Sequence, residues 1–270
     1  AVINVDDSSG RRIAAECPVD VITYGLQAGD VQARGEVCSL EGIRAVITKG
    51  SDSFNINSRL VGTFNLYNIL AAATVCSAMG IDSGAVQKGI ELARGVPGRM
   101  ERIVNDYGIL VFVDYAHTAD ALRQVLVTLR DAGAGTIITV FGCGGDRDRG
   151  KRPDMGRAAA SLSTTVIVTS DNPRSEQPES IIEEIEPGLQ AQGFSRADAA
   201  QHGRTRQGLY CIVPDRRTAI RQAIRQAARG DVVLIAGKGH ETTQQSADGY
   251  THFDDREEAI QALKLCANCT

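Results

Sequence analysis

From about residue 109 onward, apolar runs alternate with helix-like segments, and this alternation constrains the fold more than any other feature. Four apolar runs have the length and β-branched character of buried strands, at residues 109–113, 136–141, 165–169 and 232–236. Five segments between and after them are predicted to be helices, at residues 119–130, 154–161, 178–189, 215–229 and 256–265. Such alternation builds a mostly parallel sheet covered by helices. The sequence therefore predicts an α/β fold.

A domain boundary is predicted at Gly95-Val96-Pro97-Gly98, which breaks helix and strand alike. Before it, residues 1–60 are expected to form short strands and turns. A helix over residues 64–79, ended by Gly80, and a second helix capped by Asp82 should follow. We expect two domains, 1–96 and 97–270. At the other end of the chain, Asp255 is predicted to cap the last helix.

Composition excludes several classes of protein. A hydrophobic content of 43%, a charged content of 23% and a net charge of -4 indicate a globular protein with no nucleic-acid or membrane partner. No apolar run approaches the length that spans a bilayer. The seven cysteines are scattered, which favours reduced thiols and a cytoplasmic location. Cys266 and Cys269 have metal-type spacing, but a second Cys/His pair is lacking, so we expect no metal site.

Unusual polar loops follow the four predicted strands. Because parallel strands end at the same edge of a sheet, these loops should meet there, where open α/β sheets bind ligands. They place eight polar side chains on one rim: Asp114, His117, Arg147, Asn172, Arg174, Lys238, His240 and Glu241. This rim is the predicted binding site.

The rim has the chemistry of a zwitterion-binding site. The guanidinium groups of Arg147 and Arg174 match carboxylates or phosphates, and Glu241 matches an ammonium. The rim therefore predicts an amino-acid-like ligand with more than one charged end. Plainer interpretations stay open: a turn with a solvated Arg174, a salt-bridged surface loop around Arg147, and a structural role for His117 or His240.

Seven segments in order along the chain resemble the Mur ligases of peptidoglycan synthesis. They are AVINVDD (1–7), GTFNLYNILAA (62–72), PGRMER (97–102), DYAHT (114–118), GCGGDRD (142–148), DNPR (171–174) and GKGHE (237–241). The resemblance implies that residues 1–96 are the end of a central ATPase domain. Residues 97–270 would then be a Rossmann-like carboxyl-terminal ligase domain that binds the incoming amino acid.

The resemblance also implies an activity. A ligase of this kind, with ATP and Mg²⁺, would join meso-diaminopimelate to UDP-N-acetylmuramoyl-L-alanyl-D-glutamate through an acyl phosphate. The chain has no G-x-x-x-x-G-K-[ST] motif and no counterpart of the family's modified magnesium-site lysine segment. We therefore expect a fragment that is inactive alone and needs the amino-terminal and P-loop domains of the same protein.

Two groups of site residues follow from the resemblance, and neither includes a covalent nucleophile or a metal ligand. The diaminopimelate group is Arg147, Asp171, Asn172, Arg174, Gly237 and Glu241. The ATP group is Asn65, Asn68, Arg99, Asp114 and His117. The alternatives are a ligase of the same fold that adds lysine or another amino acid, and a non-catalytic module that binds an amino acid or a nucleotide.

Overall fold

The computed structural model describes residues 1–197 and 207–267. The chain divides into two compact units, Ala1–Gly95 and Val96–Thr270. The elements of the first unit are β1 (Val2–Asn4), α1 (Ser8–Glu16), β2 (Ile22–Gly25), β3 (Val31–Ser39), β4 (Gly42–Lys49), β5 (Asp52–Ser58), α2 (Thr63–Ala78) and α3 (Ser83–Leu92).

The first unit is a five-stranded sheet in the order β1-β2-β3-β4-β5. The pairs β1–β2 and β2–β3 are parallel, whereas β3–β4 and β4–β5 are antiparallel. Apolar side chains of the sheet and of α2 and α3 share one core, including Ile43, Ile47, Leu66 and Leu70. The sheet and these two helices therefore bury their apolar faces against each other.

The predicted stop of α2 at Gly80 and the predicted cap of α3 at Asp82 are confirmed, whereas α3 ends at Leu92 rather than at about Arg94. Gly80 has a φ of 74°, and the amides of Gly80 and Ile81 donate to carbonyls in the last turn of α2. Asp82 caps α3 by accepting from the Ala85 amide at 3.1 Å. Helix α1 was not predicted from the sequence; it has only nine residues, none of them buried, and it contains Gly10, which disfavours a helix. Asp7 caps it through the amides of residues 9 and 10.

The second unit contains more elements, in chain order. They are β6 (Glu101–Ile103), β7 (Leu110–Asp114), α4 (Ala119–Asp131), β8 (Ile137–Phe141), α5 (Lys151–Leu162), β9 (Thr165–Val168), α6 (Pro178–Gln190), β10 (Ser195–Arg196), β11 (Leu209–Ile212), α7 (Arg216–Gln226), β12 (Val232–Ala236), β13 (Thr243–Ser246), β14 (Gly249–His252) and α8 (Asp255–Ala267).

Its main sheet has seven strands in the order β10-β11-β9-β8-β12-β7-β6. Only the edge strand β6 is antiparallel to its neighbour, and every residue of β7, β8, β9 and β12 is buried. The α/β prediction is therefore confirmed. Within residues 1–197 and 207–267, no helix combines the length and apolar character needed to cross a bilayer.

The differences from the predicted elements have local causes. Helix α5 begins at Lys151 rather than 154, because Pro153 lies in the first turn, where its missing N–H costs nothing. Strands β6, β10, β11, β13 and β14 were not predicted, since they are short or polar.

The prediction that Asp255 caps α8 is wrong. Asp254 takes that place and accepts from the Arg256 amide at 2.8 Å. Asp255 is instead fully buried against Arg216, with Nε–Oδ1 and Nη2–Oδ2 distances of 2.8 Å. Arg216 Nη2 also donates to the Ala236 carbonyl at 2.9 Å. This buried pair joins α7, α8 and the end of β12.

Arg216→Ala is expected to destabilise the protein by about 3–5 kcal/mol, because it leaves the Asp255 carboxylate buried without its cation. Arg157→Ala is the matched control, since the side chains of Arg157 and its partner Asp154 are 47% and 52% exposed. Loss of this exposed pair should cost about 1 kcal/mol or less. Urea unfolding followed by circular dichroism measures both. Equal losses for the two variants would contradict the assigned role of the buried pair.

Candidate functional site

The four polar loops follow neighbouring parallel strands, in the order β9-β8-β12-β7. Two backbone hydrogen bonds join loops of different strands. The Gly237 amide donates to the Asp114 carbonyl at 3.1 Å, and the Gly145 amide donates to the Asn172 carbonyl at 2.9 Å. The loops therefore form one continuous rim at the carboxyl edge of the sheet.

A buried ammonium lies at the centre of this rim. Lys238 has no exposed surface, and its Nζ donates to Asn172 Oδ1 at 3.1 Å and to Glu241 Oε2 at 3.2 Å. Asn172 Nδ2 also donates to Glu241 Oε2, at 3.0 Å. A buried charge needs such partners, because it has lost its hydration. Lys238 thus ties the loop after β9 to the loop after β12.

Asp171 lies behind this cluster. Its Oδ1 is 3.6 Å from Lys238 Nζ and accepts no hydrogen bond from any residue within 1–197 and 207–267. Burial raises the pKa of Asp171, and the nearby charges of Arg216 and Lys238 oppose that rise. Asp171 is therefore a buried carboxyl group beneath the rim, next to Lys238, rather than part of the exposed surface.

Arg174 is held in an unusual conformation beside the cluster. Its φ of 53° is left-handed, which costs a non-glycine residue about 1–3 kcal/mol. Its amide donates to the Gln245 carbonyl at 3.1 Å, its Nε donates to Gln245 Oε1 at 3.2 Å, and its Nη1 donates to the Gly145 carbonyl at 2.7 Å. These contacts fix the position of the guanidinium.

Two glycines let the loop after β8 approach Arg174. A Cβ atom on Gly144 would lie 2.9 Å from Arg174 Nη1. A Cβ atom on Gly145 would lie 1.9 Å from the Pro173 carbonyl oxygen. Any side chain at position 145 would therefore push the two loops apart.

A second buried cation fastens the same two loops. The Arg152 side chain is fully buried and forms a bidentate ion pair with Glu176, with Nη1–Oε2 and Nη2–Oε1 distances of 2.9 and 2.8 Å. Its Nη1 also donates to Glu184 Oε2 at 2.8 Å. Glu176 Oε1 in turn accepts from the amide of Asp146, whose φ is 52°. Hydrogen bonding to Arg152 lowers the pKa of Glu176 to about 2.

The loop after β8 has the strand–loop–helix context and part of the sequence of a phosphate-binding P-loop. Residues 145–151 match G-x-x-x-x-G-K, but Arg152 follows where that motif has Ser or Thr. The amides of Gly145, Asp146 and Gly150 donate to protein acceptors. They are therefore not arranged as a phosphate cradle. Arg147, on the same loop, is exposed and donates to the Asp146 carbonyl at 3.3 Å.

Asp114 ends β7 and is 5% exposed. Its Oδ2 accepts from the Met100 amide at 2.7 Å, and its Oδ1 accepts from the Ala116 amide at 2.8 Å. Burial raises the pKa of Asp114, and these two hydrogen bonds oppose the rise. Each carboxylate oxygen keeps a lone pair for a further donor.

An aromatic cluster adjoins Asp114. The Tyr115 ring lies 4.7 Å from the His117 ring and 5.3 Å from the His240 ring, between centroids. The guanidinium carbon of Arg99 lies 4.8 Å from the centre of the Tyr115 ring. The structure thus brings together Arg99, Asp114 and His117 of the predicted ATP group.

The other two predicted ATP residues belong to the first unit. Asn65 and Asn68 lie in the first two turns of α2. Asn65 Nδ2 donates to the Val61 carbonyl at 2.9 Å, and Asn68 Nδ2 donates to Asn65 Oδ1 at 3.2 Å. The start of α2 presents amides suited to an anion.

Several residues of the rim were not found from the sequence. Gln244 and Gln245 lie on the hairpin β13–β14, and Gln244 Nε2 donates to the Asp171 carbonyl at 2.7 Å. The Asp248-Gly249 pair is typical of a turn. The residues on either side of it are mostly polar, however, and lack the alternating apolar pattern that would predict a hairpin. Nothing in the sequence distinguishes Arg152 from the other cations of its loop.

Among the described parts of the chain, no group of three His, Cys, Asp or Glu side chains is arranged to hold a metal ion. Cys269, one of the two cysteines with metal-type spacing, lies outside the described residues.

Comparison with known families identifies both units. Residues 1–76 match the Mur ligase middle domain, and residues 98–239 match the Mur ligase glutamate ligase domain. The chain belongs to the Mur ligase family.

The chain is similar to enzymes named UDP-N-acetylmuramoyl-L-alanyl-D-glutamate–2,6-diaminopimelate ligase. It is 48% identical to that of Geobacter metallireducens over 268 residues, which is 98% of this chain and 52% of the relative. It is 47% identical to that of Gloeobacter violaceus over 265 residues, or 97% of this chain and 51% of the relative. A solved structure of a ligase with the same name aligns with a TM-score of 0.74 at 38% identity, covering 99% of this chain and 53% of that one. The chain thus spans about half the length of the relatives it matches.

The ion pair of Arg152 with Glu176 predicts an unusual acid titration. The folded pKa of Glu176, about 2, lies below its ordinary value of 4.5, so the pair stabilises the fold fully above about pH 4.5 and is lost as pH falls through about 2. Carboxyl-carbon NMR should show Glu176 ionised down to about pH 3. In Arg152→Met the midpoint should rise toward 4.5.

Arg149→Met is the control, because Arg149 is exposed and contributes only a weak charge effect at Glu176. Its Glu176 midpoint should stay near 2. A wild-type midpoint near 4.5 would show that the two loops are not fastened by this pair.

Proposed function

We propose that the protein is an ATP-dependent ligase that forms an amide bond between meso-diaminopimelate and UDP-N-acetylmuramoyl-L-alanyl-D-glutamate in the cytoplasm. The observation that carries the proposal is one rim on which the buried Lys238 joins Asn172 to Glu241 and Gln245 joins Asn172 to Arg174. The names of the relatives support the same substrates.

Diaminopimelate carries an ammonium and a carboxylate at each end, and the rim offers opposite charges. Arg174 binds the distal carboxylate, using donors that Gln245 and Gly145 do not occupy. Arg147 is exposed and supplies a second cation for a carboxylate. Glu241 takes an ammonium, because its side chain is 34% exposed and only its Oε2 is engaged by the described residues.

The remaining diaminopimelate residues act from behind or through the backbone. Asn172 holds Glu241 in place, since its Nδ2 donates to that carboxylate. Asp171 is buried and sets the charge around Lys238. Gly237, with a φ of 116°, lets the backbone lie close to Asp171 and to the ligand.

ATP fits the second group of residues. Arg99 is exposed and suits phosphates, Asp114 can accept from ribose hydroxyls, and His117 lies on the same aromatic cluster. Asn65 and Asn68 are further proposed nucleotide contacts. ATP supplies the activation of the glutamate carboxylate as an acyl phosphate. We assign no described residue to magnesium, because they present no ligand cluster.

The contribution of this chain to the reaction is to position the amine. The rim grips the distal end of diaminopimelate through charge-assisted contacts, which leaves the other amino group, once deprotonated, to attack the acyl phosphate. The amide bond then forms as the bond to phosphate breaks and inorganic phosphate leaves. Holding reactants in this way lowers the entropic part of the barrier. No covalent nucleophile is needed, and burial raises the pKa of the Cys143 thiol in the Gly-rich loop to about 12, which keeps it protonated.

Arg174→Ala in the full-length protein should lower the preference for meso-diaminopimelate over L-lysine by about tenfold or more. Lysine lacks the distal carboxylate, so its use should change far less. Arg174→Lys should restore only part of the preference, because an ammonium cannot reproduce the planar fork. The measurement is kcat/KM for both amino acids. An unchanged ratio would place the selectivity elsewhere and favour a turn role for Arg174.

Asp114→Asn provides the contrast within the same rim. It should raise the KM for ATP and leave the ratio between the two amino acids as in the wild type. A changed ratio in this variant would mean that the nucleotide and amino-acid groups are wrongly separated.

A further inference from the structure

The hairpin β13–β14 is hydrogen-bonded to the Asp171–Arg174 loop, mainly through Gln245. The Gln245 amide donates to Asn172 Oδ1 at 2.9 Å, and the Gln245 carbonyl accepts from the Arg174 amide at 3.1 Å. The Gln245 side chain then accepts from Arg174 Nε at 3.2 Å. Gln245 therefore contacts both Asn172 and Arg174 of the loop.

We propose that Gln245 is a positioning residue that orients the guanidinium of Arg174 for a distal carboxylate, and thereby helps to set amino-acid selectivity. This inference rests on the proposed function, since it concerns how Arg174 performs the role assigned to it there.

The geometry defines what Gln245 does. A guanidinium has five N–H donors in one plane. Gln245 Oε1 takes the donor on Nε, and the Gly145 carbonyl takes one donor on Nη1 at 2.7 Å. Two anchors on different edges fix the plane of the group. Neither anchor uses the two donors on Nη2 or the second donor on Nη1, so these three donors are available to a carboxylate.

The chemical type of residue 245 is as important as its position. A glutamine oxygen is neutral, so it holds Arg174 without cancelling the positive charge that the ligand carboxylate needs. A glutamate in the same place would hold the guanidinium at least as firmly, but it would compete with the ligand for that charge. A residue needed only for folding would tolerate that change, whereas a residue that prepares Arg174 for an anion would not.

Two substitutions in the full-length protein separate these roles. Gln245→Met keeps the length of the side chain and removes the acceptor. Gln245→Glu keeps the acceptor and adds a charge. Both should raise the KM for meso-diaminopimelate about three- to tenfold, with kcat little changed and kcat/KM for lysine retained. Thr243→Val is the control, because Thr243 is exposed on the same strand, and it should leave both amino acids unaffected.

A double-mutant cycle links the effect to Arg174. In an Arg174→Ala background, Gln245→Met should cause no further loss of preference, because the group that it orients is absent. The inference is overturned if both Gln245 variants keep the wild-type preference, or if Gln245→Met lowers the preference equally with and without Arg174. If the preference collapses in Arg174→Ala but both Gln245 variants keep the wild-type preference, this inference is overturned and the proposed function stands. An unchanged preference in Arg174→Ala would overturn both.

Discussion

The buried ammonium of Lys238 is the interaction on which the rim depends. It lies without exposure among Asn172, Glu241 and Asp171, so removal of any partner would leave the buried charge with fewer of the contacts that replace its hydration. This requirement couples two loops that follow different strands, β9 and β12. Asn172 and Glu241 are therefore positioned by a shared charge rather than by each loop separately.

The second constraint is the close approach of the loops after β8 and β9. Gly145 allows its loop to reach the Pro173 carbonyl, and the buried guanidinium of Arg152 holds Glu176 across the same gap. The left-handed backbone of Arg174 is unfavourable by itself, and these contacts together with the hydrogen bond from its amide to the Gln245 carbonyl stabilise it. A rigid loop of this kind suits a site that binds a carboxylate through two N–H groups of one guanidinium, because both hydrogen bonds are kept only while the guanidinium plane stays aligned with the carboxylate.

Much of this arrangement could be predicted from the sequence, because the period of apolar residues reports strands and helices directly. The strands that carry the rim were predicted within a residue or two, and parallel pairing then brings their loops to one edge. The charge network could not be predicted, because it depends on burial. The Asp255 carboxylate has the sequence pattern of a helix cap, yet it is buried against Arg216. Gln245 belongs to polar strands whose pairing creates its contacts, and no periodicity marks them.

The central claim is that Arg174 binds the carboxylate that distinguishes diaminopimelate from lysine. The most direct test is a crystal structure of the full-length protein with meso-diaminopimelate bound. The account predicts a distal carboxylate oxygen at about 2.8 Å from an Nη atom of Arg174, with Gln245 still bound to Nε. A distal carboxylate bound by other residues, with Arg174 contacting only Gly145 and Gln245, would contradict it.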